Sequence, residues 1–114
     1  IRQIAQSAYR YKPTEQSHLT RWIQCLLRSD LRRRERLVGL ALSSFADKDG
    51  GQCFPSQDRV GERACYARPR VAEALNILME TGWLERYSIP RLGHGWSYGY
   101  RLLIPDVTPQ NILG

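Results

Sequence analysis

The segment from Phe54 to Leu84, FPSQDRVGERACYARPRVAEALNILMETGWL, allows this chain few ways to fold. It carries two short helical patterns separated by the three residues Cys65-Tyr66-Ala67. A spacer that short cannot join independent helices, so it reads as a turn that sets one helix across the other, with Tyr66 plugging the corner. Pro55 constrains the entry, and Ser56 is placed as an N-cap whose hydroxyl accepts from the amides of the first turn, so a helix should start at Gln57. Val60 and Ala64 form its apolar i, i+4 pair. The next helix is expected from Arg68 to about Thr81, with Pro69 in the first turn, where no amide hydrogen bond is lost. Val71, Ala74, Leu75, Leu78 and Met79 define its apolar stripe. On a wheel of about 100° per residue, Pro69, Arg70, Ala72, Glu73 and Asn76 face away from that stripe. Two arginines at a helix N-terminus work against its dipole, which favours anions there. A partner that supplies negative charge would account for their placement; two solvated arginines is the plainer alternative.

The motifs LALSSFADKDGGQCFPSQDRVGE and ARPRVAEALNILMETGWL, within Leu37 to Leu84, resemble the winged helix-turn-helix family of plasmid and phage replication initiators and related bacterial regulators. The family pattern joins an apolar helix, an aspartate- and glycine-containing loop, a Pro-Ser-Gln entry, the turn, and a closing Gly-Trp-Leu. Ala46, Asp47, Gly50, Pro55, Ser56, Gln57, Arg68, Val71, Ala74, Leu75, Leu78, Gly82 and Leu84 match it, and the wing that follows extends the likeness to about Ile104. The turn departs from it. Cys65 stands where glycine is usual, Tyr66 where leucine is usual, Ala67 where a serine caps the second helix, and Arg70 where threonine is common. A missing cap costs about 1 kcal/mol. The resemblance implies an α+β, mostly helical fold: a three-helix core with a β-hairpin wing, here with an extra N-terminal helix.

Net charge is +6, and apart from Lys12 and Lys48 every basic residue is arginine. Guanidinium groups pair with phosphate and with guanine edges in ways lysine cannot, which makes nucleic acid the leading partner. No apolar run approaches the roughly 20 residues that cross a bilayer, and no signal peptide is visible, so the expectation is a cytoplasmic protein without a membrane partner. Cys25, Cys53 and Cys65 lack CxxC spacing, which suggests neither a disulfide scaffold nor a zinc site. The chain starts at Ile1 and reads as a piece of a longer protein.

In chain order, three units are expected: residues 1–28 as an arm and amphipathic helix, 29–105 as the winged domain, and 106–114 as a tail or linker. Ile1 to Lys12 reads as a helix or an arm. Thr14 or Ser17 caps a helix in which Leu19, Trp22, Ile23, Leu26 and Leu27 form one face, ending near Arg28. That face either packs into the core or joins two copies of the protein as a homodimer, and an exposed Trp22 would favour pairing. Ser29 or Asp30 caps the next helix, Leu31 to Ala46. Its basic first half, with Arg32, Arg33, Arg34 and Arg36, either tracks a phosphate backbone or is a solvated face. Its second half sends Leu37, Val38, Leu40, Ala41, Leu42 and Phe45 into the core. Asp47 to Gly51 turns the chain; the glycine and glutamate positions of a calcium loop are missing. Gln52 to Phe54 is a candidate strand. Trp83 to Ile89 and Trp96 to Ile104 form a hairpin, with Pro90, Arg91, Gly93, His94 and Gly95 between them. Trp96, Tyr98 and Tyr100 share one face, which packs the sheet on the helices or stacks unpaired bases.

Together these readings predict binding of double-stranded DNA, without cofactor or metal. The helix from Arg68 enters the major groove, where Arg68, Arg70, Glu73 and Asn76 face the duplex. Ser56, Gln57 and Arg59 hold the flanking backbone, and Arg91 and His94 contact it from the wing. Replication initiation is the family-level expectation and transcriptional regulation the alternative; a protein-binding winged domain is the competing class. With no nucleophile elbow, phosphate-cradling glycine loop or HExxH motif, an enzyme is the least supported reading.

Overall fold

The computed structural model describes residues 16–91 and 95–105 of the chain, and at residues 91, 95 and 96 the backbone only. Among them are four helices, α1 (His18–Arg28), α2 (Arg33–Ser43), α3 (Gln57–Ala64) and α4 (Arg68–Glu80), followed by β1 (Leu84–Arg91) and β2 (Gly95–Leu102). Residues 1–12, Thr14, His94 and the tail from Asp106, on which expectations were placed, lie outside the described residues.

Ser17 caps α1, its hydroxyl accepting from the Thr20 amide at 3.1 Å. Trp22 and Leu26 are completely buried. The Trp22 indole N–H reaches the carbonyls of Trp83 at 3.1 Å and Leu103 at 2.9 Å, and its ring meets Trp83 edge to face at 6.0 Å. A buried indole needs such a partner, and here it ties α1 to the start of β1 and to the segment leaving β2. The exposure of Trp22 that would have favoured pairing two copies is therefore absent.

α2 starts two residues later than expected. Ser29 completes α1 instead, donating its hydroxyl and its amide to the Leu26 carbonyl, and Arg32 occupies the N-cap position without a side-chain cap. The helix stops at Ser43, after which Phe45 and Ala46 make tighter i−3 bonds. The buried side of α2 runs through Glu35, Val38, Gly39, Ala41 and Leu42. Leu37, expected inside, falls off that side and is 39% exposed, while Glu35, expected on the basic solvated half, is 1% exposed. Gly39 lets the Leu26 and Trp22 side chains approach, since a Cβ there would sit 3.0 Å from Leu26.

The Asp47 carboxylate accepts from the amides of Asp49 and Gly51, both at 2.9 Å, and closes the turn after α2. The candidate strand at Gln52 to Phe54 is reduced to one bridge: Cys53 pairs with Tyr100, whose amide donates to the Cys53 carbonyl at 2.9 Å. α2 packs on α1, α3 and α4, and α4 on β1, around one core that includes Val60, Val71, Leu75, Leu78, Leu84 and Leu102.

The hairpin is longer toward its tip and shorter at its base than expected. Its antiparallel register pairs Leu84 with Leu102 and Arg91 with Gly95, so Pro90, Arg91 and Gly95 are in the strands, not between them. Trp83 turns into the core, and Leu103 to Pro105 leave the sheet beside α1. Tyr100 is buried, but Tyr98, on the same face and one step nearer the tip of the hairpin, is 47% exposed.

Candidate nucleic-acid interface

The central piece is the α3–α4 unit. Ser56 caps α3, accepting from the Arg59 amide at 3.2 Å. α3 closes on Cys65, which adopts the left-handed conformation (φ 63°), and the Tyr66 amide reaches back to the Gly61 carbonyl at 3.1 Å. That is a Schellman-type ending, and Cys65 fills the position where glycine is favoured. Gly61 makes the unit compact: a Cβ there would run into the Tyr66 carbonyl oxygen and sit 3.3 Å from Val71 of α4. Ala67 occupies the α4 N-cap with no side-chain hydrogen bond, and Pro69 stands in the first turn. Val71, Ala74, Leu75 and Leu78 are buried, with Met79 partly so.

This packing leaves Arg68, Arg70, Glu73 and Asn76 exposed. Arg68, whose side chain is 65% exposed, lies 3.8 Å from Asp58 of α3. Arg70 reaches Glu73 at 3.2 Å, and the same Glu73 oxygen accepts from Arg34 of α2 at 2.7 Å. Arg34 in turn donates to buried Glu35 at 2.8 Å, and that hydrogen bond holds its guanidinium still further above its ordinary range, against the opposing effect of desolvation. The chain itself thus supplies part of the negative charge at the start of α4, a source beside the two expected ones, a binding partner and solvation. Neither Arg34 nor Glu35 was anticipated in this role; the acidic residue inside an otherwise basic run was the one sequence signal.

Gln57, at the opposite end of α3 from the turn, approaches the base of the hairpin. Burial pushes the Tyr100 phenol above its ordinary value, while the positive charge of Arg86 pulls it down. Arg86 also lies over the exposed ring of Tyr98, 4.4 Å from its centroid. On the other face of the sheet Arg101 pairs with Glu85 and lies 5.4 Å from the Tyr87 centroid, and Tyr87 covers Gly99, where a Cβ would come within 2.6 Å of it.

Two further arginines converge on Phe45 at the end of α2. Arg59 and Arg63 of α3 hold their guanidinium carbons 5.2 and 3.9 Å from the ring centroid, and Arg63 also donates to the Ser44 hydroxyl at 2.6 Å. Arg59 was a predicted contact; Arg63 and Phe45 were not, although the i, i+4 spacing of Arg59 and Arg63 places them on one face. Among the described residues neither arginine has a carboxylate within 4.0 Å. The backbone of Arg91 is at the end of β1, beyond which its side chain and His94 are not described.

Four helices followed by an antiparallel hairpin, with a tight turn between the third and fourth helices, are consistent with a winged helix-turn-helix. Residues 29–84 match the model of a family described as a helix-turn-helix domain, which spans α2 through the start of β1 and leaves α1 outside the matched segment. No curated protein and no solved structure matches the chain. No helix of the described residues is long and apolar enough to cross a membrane.

Proposed function

We propose that this chain binds double-stranded DNA sequence-specifically, with α4 as the recognition helix. The observation that carries the reading is that the buried stripe of α4, Val71, Ala74, Leu75 and Leu78, leaves Arg68, Arg70 and Asn76 exposed along the second helix of a helix-turn-helix unit. In such units the second helix lies in the major groove with its N-terminal residues at the base edges, and the first helix crosses the backbone. Arg70 and Arg68 then read guanine or grip phosphate, Asn76 reaches a base edge, and Gln57 and Arg59 hold the flanking strand. Arg86 adds a cation at the hairpin base, and Arg91 and His94 extend the contact along the wing. Glu73 faces the duplex among them.

We read α1 as an addition to the winged domain that completes its core. The resemblance to replication initiators supports a role in starting plasmid or phage replication, with transcriptional regulation as the alternative on the same binding mode. We assign no reaction to this segment, and a cytoplasmic setting follows from the DNA target. The experiment is a salt titration of binding to a duplex selected from a random pool. A polyanion contact gives a linear fall of log affinity with log salt, steep in proportion to the phosphates neutralised. A flat response, or recovery of no duplex, rejects the reading and leaves a protein-binding winged domain. The recovered sequences also separate the two roles, since repeated sites suit an initiator and a palindrome suits a dimeric repressor.

A further inference from the structure

We infer that Glu73 is a positioning residue of the recognition helix, one that aims the Arg70 guanidinium and thereby sets which base step the helix reads, without itself touching the DNA. The inference rests on the DNA-binding reading of α4. Four side chains of alternating charge run from the core to the surface: Glu35, 1% exposed; Arg34, 2.8 Å from it; Glu73, 2.7 Å from Arg34; and Arg70, 3.2 Å from Glu73. The inner pair cannot rotate freely, because turning Arg34 away would leave a buried carboxylate without its cation. Arg34 therefore fixes Glu73, and Glu73 offers Arg70 a fixed acceptor three residues further on along the same helix. A lone exposed ion pair of this kind would be loose and weak. An anchor in the core changes that, since the acceptor has already lost its freedom before Arg70 engages it.

Electrostatics points the same way. A carboxylate on a surface that meets phosphates repels them, so its presence at the centre of the outward face of α4 lowers affinity for every sequence alike. What it can add is orientation. Bidentate recognition of guanine depends on the guanidinium plane. One of the Arg70 nitrogens, Nη1, is held by Glu73, and the remaining N–H groups are left for the base.

The test uses the whole chain and the duplex it selects from a random pool, with a scrambled duplex of equal length as reference. Glu73→Ala should bind the scrambled duplex more tightly and the selected one less tightly, reducing discrimination by about tenfold, as for one lost bidentate contact. Arg70→Ala should lose discrimination at the same base pair, and the double variant should be no worse than Arg70→Ala alone, the signature of two residues acting as one unit. Glu73→Gln, which keeps an acceptor oxygen, should fall between wild type and Glu73→Ala. The inference is overturned if the losses are additive, or if reselection with Glu73→Ala changes a base pair that Arg70→Ala leaves intact, which would make Glu73 a direct reader. Unchanged discrimination in Glu73→Ala overturns it as well. If no duplex is selected at all, the failure belongs to the DNA-binding reading.

Discussion

Three residues near the turn, Cys65, Gly61 and Arg70, are constrained by surroundings that their neighbours in the sequence do not announce. Cys65 is held at φ 63°, a conformation that costs a residue with a Cβ roughly 1 kcal/mol or more. It is exposed, and its thiol serves neither packing nor a disulfide. Cys65→Gly should therefore raise stability by up to about 1 kcal/mol, partly offset by the greater freedom of glycine in the unfolded chain, and a chemical-denaturation midpoint would show it. Gly61 gives the opposite case. Gly61→Ala forces a methyl against a backbone carbonyl that cannot swing away, because the Tyr66 amide of the same residue is bonded to Gly61 itself. A loss of about 1 to 3 kcal/mol is expected, read from the same denaturation curves. At the outward face, Arg70→Ala should cost about 1 to 3 kcal/mol against the selected site if Arg70 reads guanine, and equally against all sequences if it grips phosphate, which competition between duplexes distinguishes.

At the level of elements, α4 begins without help. Its N-cap is Ala67, and restoring the missing hydroxyl by Ala67→Ser should stabilise the helix by about 1 kcal/mol, visible as a higher melting temperature. How far such features could be read in advance depended on whether they were local. The capping of α3 by Ser56, the turn at Cys65 and the buried stripe of α4 follow from spacing and short-range hydrogen bonding, and all three were legible in the sequence. The start of α2 was not. Ser29 could serve either helix, and only the packing of α1 through Trp22 decides that it finishes the first. Leu37 and Glu35 exchanged their expected places for a related reason: hydropathy alone cannot see that Arg34 neutralises the buried carboxylate, nor which edge of α2 the neighbouring helices leave uncovered. The hairpin was legible as two strands and a break, but Pro90 in β1 was read as punctuation although it pairs with Trp96 in register. A proline is tolerated there because a two-stranded sheet has only edge strands. Of the candidate interface, the outward residues of α4 were readable from its period. The i, i+4 spacing puts Arg59 and Arg63 on one face, but the Arg34–Glu73 contact and the seating of those two arginines on Phe45 join residues far apart in the sequence, and no periodicity reports them.

Across the whole molecule, the wing is joined to the helical body by backbone hydrogen bonds at a seam where two buried groups, the Cys53 thiol and the Tyr100 phenol, are held protonated. The Cys53 carbonyl accepts from Tyr100, the Gly50 carbonyl accepts from Leu102 at 3.0 Å, and the buried Cys53 thiol donates to the Leu42 carbonyl at 3.4 Å. Burial, with a smaller contribution from the Asp47 charge, pushes that thiol up from 9.0 to about 12, and burial also raises Tyr100. Both folded values thus lie above the unfolded ones, so above the unfolded pKa the native state binds more protons than the unfolded state. The stability the Cys53 thiol contributes is complete below about pH 9 and declines as pH rises toward its folded value near 12, and Tyr100 acts in the same direction. For the thiol the decline approaches about 1.4 kcal/mol per pH unit once its unfolded form has ionised. The arginines keep their charge throughout this window and cannot produce the effect. Denaturation at pH 7, 9 and 10.5 should show it, and Cys53→Ala, though less stable at pH 7 because it leaves a small cavity, should lose less between pH 9 and 10.5 than the wild type. If the variant and wild type decline in parallel, the thiol is not the group that couples the wing to alkaline pH, and the remaining slope belongs to Tyr100.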